Sequence, residues 1–228
     1  MNKKIIVAID SNNLKSSIKL VNEIKNEVYA IKIGYEFFLN FGINGYKLVK
    51  KLCPNIFLDL KLHDIPNTVN NAIKAIEKLK PVFTTIHLSG GDEMQKSSIL
   101  PKKSKLKILG VSILTSLNSN QTKKYYKESN ITKLVKNFVN YAKKNNLDGI
   151  VCSPHEIKIV RKIAGNDLII VVPGIRPENY INKNDDQKRF VSPKKAIEYG
   201  ADYLVIGRPI TKSNNPLKTI KKINYLIN

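Results

Sequence analysis

The sequence predicts one α/β domain built as a (β/α)8 barrel over residues 1–228. Three observations carry that expectation. Short apolar, β-branched runs recur mostly at spacings of roughly 20–30 residues, as alternating strands and helices do. The runs are almost continuously hydrophobic, which suits parallel strands covered on both faces. Polar and special residues gather at the C-terminal ends of these runs, where barrels of this type carry their sites.

Taken in order, IIVAI (5–9) forms the first strand and leads directly to Asp10. Leu14, Ile18, Val21 and Ile24 then repeat at close to helical spacing. AIKIG (30–34) is the second strand, with Lys32 late in it. IFLDLKL (56–62) is the third and holds Asp59 and Lys61. Alternate residues of a strand share a face, so these two project side by side, while Asp64 falls in the following loop. Asn67 and Thr68 sit where a helix would begin, before NNAIKAIEKL. TTIHLS (84–89) carries His87 in the fourth strand, and Thr115 follows the fifth, KILGVSIL (107–114). Ile131, Leu134, Val135, Phe138 and Ala142 mark one face of a helix. GIVCS (149–153) is the sixth strand, LIIVVPG (168–174) the seventh, ending at Pro173-Gly174, and YLVIG (203–207) the eighth, followed by Arg208.

Composition narrows the function classes. No run approaches the roughly 18 apolar residues that a membrane span needs. The start, MNKKIIVAID, lacks a long apolar stretch with a small-residue cleavage site, so no signal peptide is expected. Cys53 and Cys152 cannot make a disulfide framework, and a cytoplasmic location is expected. The formal net charge is +21, with basic runs at PKKSKLK (101–107) and KKYYK (123–127). Yet the lysines are spread over nearly every predicted helix, and arginine, the preferred base reader, is scarce. Solvated helix faces account for this better than a nucleic-acid surface does, and neither a nucleic-acid nor a membrane partner is expected. A positive field would still steer a small, multiply anionic substrate.

Two carboxylates around an ammonium in an apolar run cost free energy to desolvate, so such a group points to chemistry. Asp59, Lys61, Asp64 and Lys32 alternate in charge, and if they converge each has an opposite neighbour. The bland alternative is an ion-pair network stapling the barrel mouth. Pro173-Gly174-Ile175-Arg176 and Gly207-Arg208 have the makings of anion sites, because glycine lets a backbone N–H approach phosphate and arginine offers a fork. Barrels often bind phosphate after strands seven and eight. His63, His87 and His155 lack metal-ligand spacing, and neither a metal nor a cofactor is expected. Dinucleotide and P-loop motifs are absent from the sequence.

In order along essentially the whole chain, AID, KIG, DLKLHDIPNT, LTS (114–116), PGIRP (173–177), DDQKR (185–189) and IGRPI (206–210) resemble the orotidine 5'-phosphate decarboxylase family, in its short bacterial monofunctional form. The resemblance implies a TIM barrel that converts orotidine 5'-phosphate to UMP and CO2 without metal or cofactor, as a homodimer. It implies that Lys61 donates a proton to the carbanion, that Asp59 lies against the substrate carboxylate, and that Lys32 joins the charge network and contacts the ribose. Asp64, Ile65 and Thr68 would reach into the neighbouring subunit's site. Asp10 would bind ribose, Thr115 would lie near the base, and Pro173, Arg176, Gln187, Gly207 and Arg208 would line the phosphate end. The stretch ENYINKNDD before Gln187 is slightly longer and richer in asparagine than the family's pattern. Rival expectations are a Mg2+-dependent sugar-phosphate decarboxylase of the same suprafamily, which carries an acidic residue in place of Lys32, and a non-catalytic nucleic-acid-binding barrel.

Overall fold

Each of the eight apolar runs forms a strand, and the strands close into a barrel in chain order, every neighbouring pair parallel. The computed structural model describes residues 3–177 and 191–228. Its strands are β1 (Ile5–Ala8), β2 (Ala30–Ile33), β3 (Ile56–Leu62), β4 (Phe83–His87), β5 (Lys107–Val111), β6 (Gly149–Val151), β7 (Ile169–Val172) and β8 (Tyr203–Ile206). The covering helices are α1 (Leu14–Ile24), α2 (Tyr35–Leu52), α3 (Pro66–Leu79), α4 (Gly91–Ser97), α5 (Ser119–Tyr126), α6 (Ile131–Lys144), α7 (Ile157–Ala164), α8 (Pro193–Glu198), α9 (Arg208–Thr211) and α10 (Pro216–Ile227).

Most of the apolar runs read from the sequence overshoot the paired strands at their C-terminal ends. Leu88 and Ile113 are buried, yet both lie beyond the ladders of their strands. Hydrophobicity reports burial, and the barrel mouth buries apolar loop residues that no neighbouring strand pairs. The third helix also starts slightly earlier than Asn67. Pro66 occupies its first turn and Ile65 is the cap, with no side-chain capping bond. Proline fits there because its fixed φ is helical and its missing N–H would have no intrahelical acceptor.

Strand periodicity divides the buried residues into two sets. Outward residues such as Ile5, Val7, Ile31, Ile33, Leu58 and Leu204 pack with the helices. Inward residues Ile6, Ala8, Ala30, Phe57, Phe83 and Val205 fill the barrel. Phe57 and Phe83 meet edge to face at 5.8 Å, and Tyr29 stacks on Tyr203 at 4.2 Å beside them. A fully buried phenylalanine of this kind contributes about 1.5–3 kcal/mol over an exposed one. This apolar floor fixes what stands above it. Two residues further along each strand, on the same inward parity, come Asp10 above Ala8, Lys32 above Ala30, Asp59 above Phe57, Thr85 above Phe83 and Gly207 above Val205.

Candidate active site

At the C-terminal end of the barrel, four charged side chains form one chain of contacts. The Lys32 ammonium lies 3.7 Å from Asp10 Oδ1 and 3.3 Å from Asp59 Oδ2. The Lys61 ammonium donates to the same Asp59 Oδ2 at 2.8 Å. Exposure rises toward both ends, with side chains 8 % exposed for Asp59, 12 % for Lys32, 28 % for Lys61 and 52 % for Asp10. The innermost charge is therefore the carboxylate held by two cations. Burial alone would push the Asp59 carboxyl upward, but the Lys32 and Lys61 charges, with hydrogen bonds from Lys61 and Thr85, hold it below its ordinary range.

Local backbone explains how these groups meet. Ile9 N–H donates to Lys32 O, which extends the β1–β2 ladder and brings Asp10 alongside Lys32. Gly34 then leaves room for the pair. A Cβ there would sit 3.0 Å from Asp10 Oδ1 and 3.1 Å from Lys32 Nζ. Asp59 and Lys61 do share a face, as strand alternation predicts, but regular alternation is only part of the reason. Between Leu58, opposite Thr84, and Leu62, opposite Ile86, the β3–β4 register shifts. Lys61 takes φ 42°, a left-handed conformation that costs a non-glycine residue about 1–3 kcal/mol. An irregular strand, not a flat one, carries the lysine.

The uncharged surroundings complete the pocket floor. Tyr35 Oη donates to Leu60 O at 2.5 Å, and burial followed by the Asp59 charge raises its phenol pKa. His63 and His87 lie ring against ring at 5.3 Å. Burial, and then neighbouring His63 and Lys61, hold the His87 imidazole below its ordinary value. Thr85 Oγ1 donates to Asp59 Oδ1 at 2.9 Å. Thr85, Tyr35 and Gly34 were not among the residues singled out from the sequence. The inward parity Phe83–Thr85–His87 was the available signal for the first.

The other expected site residues that the structure describes lie on the loops and helix starts at the same end of the barrel. Asp64 is exposed, and its Oδ1 accepts from Ile65 N–H at 2.7 Å. Among the described residues it makes no ion pair, so within one chain Asp10, not Asp64, completes the run of four charges. Ile65 is 67 % exposed, and Thr68 and Thr115 are exposed too. Pro173 is half-buried, while Arg176 is buried with Nη1 donating to Ile175 O at 3.1 Å. Gly207 precedes α9, close to Ala8, and Arg208 opens that helix half-buried. Gln187 lies outside the described residues, as does the stretch ENYINKNDD.

Comparison with known proteins identifies the scaffold. The model of the orotidine 5'-phosphate decarboxylase / HUMPS family matches residues 3–223. The chain belongs to that family. It is 42 % identical over 220 residues to the orotidine 5'-phosphate decarboxylase of Wolbachia sp. subsp. Brugia malayi (strain TRS), covering 96 % of each chain. Against the enzyme of the same name from Ehrlichia canis (strain Jake) it is 42 % identical over 225 residues, covering 98 % of this chain and 97 % of that one. The crystal structure of orotidine 5'-phosphate decarboxylase from Lactobacillus acidophilus superposes with a TM-score of 0.84 at 34 % identity, covering 99 % of both chains. Family membership makes the chain an enzyme of the lyase class, on a TIM barrel.

Proposed function

We propose that the enzyme decarboxylates orotidine 5'-phosphate to UMP and CO2 in pyrimidine biosynthesis, with no metal or organic cofactor. The observation that carries this reading is the placement of Lys32 between two carboxylates, 3.3 Å from Asp59 and 3.7 Å from Asp10. The rival sugar-phosphate decarboxylases carry an acid in place of this lysine. An ammonium there neutralises the carboxylates that a divalent ion would otherwise need, and it repels the ion.

Cleavage of the C–C bond releases CO2 and leaves an electron pair in the plane of the pyrimidine ring, where the ring's π system cannot delocalise it. Lys61 supplies what that pair needs. Its ammonium is fixed by Asp59 at 2.8 Å, stabilises the developing negative charge without reorganising, and delivers the proton that makes UMP. Asp59, held ionised, faces the departing carboxylate. Arg208, the Gly207 backbone, Arg176, Pro173 and Gln187 serve the phosphate, whose distant binding energy favours the reactive geometry. Asp10 and Lys32 serve the ribose, and Thr115 the base.

The active form in this reading is a homodimer in which Asp64, Ile65 and Thr68 enter the partner's site. An exposed aspartate without an ion pair among the described residues, next to a 67 % exposed isoleucine, supports this. With Asp64 contributed across the interface, each site gains the second carboxylate against Lys61. Retained loss of orotidine 5'-phosphate absorbance in EDTA supports the proposal. Strict Mg2+ dependence with turnover of a sugar phosphate overturns it.

A further inference from the structure

We infer that Thr85 is a positioning residue for the decarboxylation: its one hydroxyl locks the irregular turn of β3 so that Asp59 and Lys61 face the substrate together. The inference rests on the proposed reaction and adds to it a residue that carries no charge and does not reach the substrate.

Where the β3–β4 register shifts, backbone groups of β3 leave the regular ladder, and side-chain hydroxyls take them up. Thr84 Oγ1 donates to Leu58 O at 2.8 Å, and Tyr35 Oη donates to Leu60 O. Thr85 Oγ1 accepts from Lys61 N–H at 2.9 Å. That last bond fixes the direction of the hydroxyl proton. Because the Lys61 N–H donates to it, the Thr85 hydroxyl must give its own proton to Asp59 Oδ1, also at 2.9 Å.

One fully buried oxygen thus ties the backbone of Lys61 to the side chain of Asp59. With Oδ1 engaged by Thr85, Oδ2 is left for both lysines, at 2.8 and 3.3 Å. The carboxylate is thereby oriented as well as charged. The same bond holds Lys61 at φ 42°, a conformation an unsupported lysine would leave. Thr85 belongs to β4 and stands two residues above Phe83, as Asp59 stands two above Phe57. It supports the site from within the barrel.

Thr85→Val removes the hydroxyl and keeps the shape, while Thr85→Ser keeps the hydroxyl. Loss of a hydrogen bond to a charged group corresponds to roughly ten- to hundredfold. The expected result is a kcat lower by about that factor in Thr85→Val, UMP affinity within about threefold of the parent, and a kcat restored to within about threefold in Thr85→Ser. A Thr85→Val kcat within about twofold of the parent overturns the inference, as does a loss that serine fails to rescue. If the valine variant does not fold, Thr85→Ala takes its place in the same comparison. A carbon-13 NMR titration of the Asp59 carboxyl needs no substrate. It should move upward in the valine or alanine variant, because a hydrogen bond to the ionised form is gone, and an unmoved titration overturns the inference. Inactivity of the parent enzyme on orotidine 5'-phosphate would bring down the proposed reaction instead, leaving the titration to decide on Thr85.

Discussion

Replacing Lys32 with methionine tests whether the array is held together by charge. The side chain keeps most of its volume and loses its ammonium, so packing above Ala30 is preserved. At 3.3 Å from Asp59 Oδ2, the lost attraction is about 5 kcal/mol at an effective dielectric of about 20. That figure is gross, since the methionine no longer carries the cost of desolvating an ammonium. Lys61 also remains at 2.8 Å to share the carboxylate. Breaking a buried pair by removing one partner costs about 3–5 kcal/mol, and with Lys61 still present the lower end applies, about 3 kcal/mol. The assay is urea unfolding at pH 7 and fixed protomer concentration, in a double-mutant cycle with Asp59→Asn. A coupling of about 2–3 kcal/mol with an unchanged m-value is expected. Coupling below about 0.5 kcal/mol would refute the reasoning, because it would mean that water screens the pair despite its burial.

Three further outcomes follow from the same geometry. Asp59 has its folded pKa lowered from an ordinary 3.8, so it contributes stability above that pH and loses the contribution as pH falls through the folded value. The stability gap between the parent and Lys32→Met should therefore be widest near neutrality and narrow below about pH 4; a gap independent of pH in urea titrations would contradict this. Gly34→Ala places a Cβ 3.0–3.1 Å from Asp10 Oδ1 and Lys32 Nζ, both ends of flexible side chains, so stability should fall by less than about 1 kcal/mol while kcat/KM drops by about tenfold. Unchanged kinetics would show that the Asp10–Lys32 contact has slack. Mixing inactive Asp64→Asn and Lys61→Ala subunits should restore activity through hybrid dimers, and no recovery despite demonstrated subunit exchange would rule against a shared site.

The fold was legible because strands buried on both faces announce themselves as apolar runs, and the spacing between runs leaves room for at least one helix each. The charged part of the site was legible for the opposite reason. Asp59, Lys61 and Lys32 are conspicuous in segments such as IFLDLKL and AIKIG, where a charge must have a partner. Thr85 was not legible, since a threonine in FTTIH reads as an ordinary strand former. Only the register of β3 against β4 gives its hydroxyl a task. The left-handed backbone of Lys61 was hidden likewise, because a register shift between two strands is a long-range property that neither strand encodes alone. Strand ends were overread wherever buried loop residues continue the apolar run, as at Leu88 and Ile113. Asp64 shows a third limit: one chain leaves it exposed on a loop, and its proposed role needs a second copy.

The central claim is that Lys61, fixed by Asp59 at 2.8 Å, carries the chemistry and not the binding. The most direct measurement pairs turnover of orotidine 5'-phosphate with UMP affinity for the parent and Lys61→Ala. Turnover should be abolished, while UMP binding, held by the phosphate and ribose contacts, should largely survive. Near-normal turnover in Lys61→Ala would contradict it.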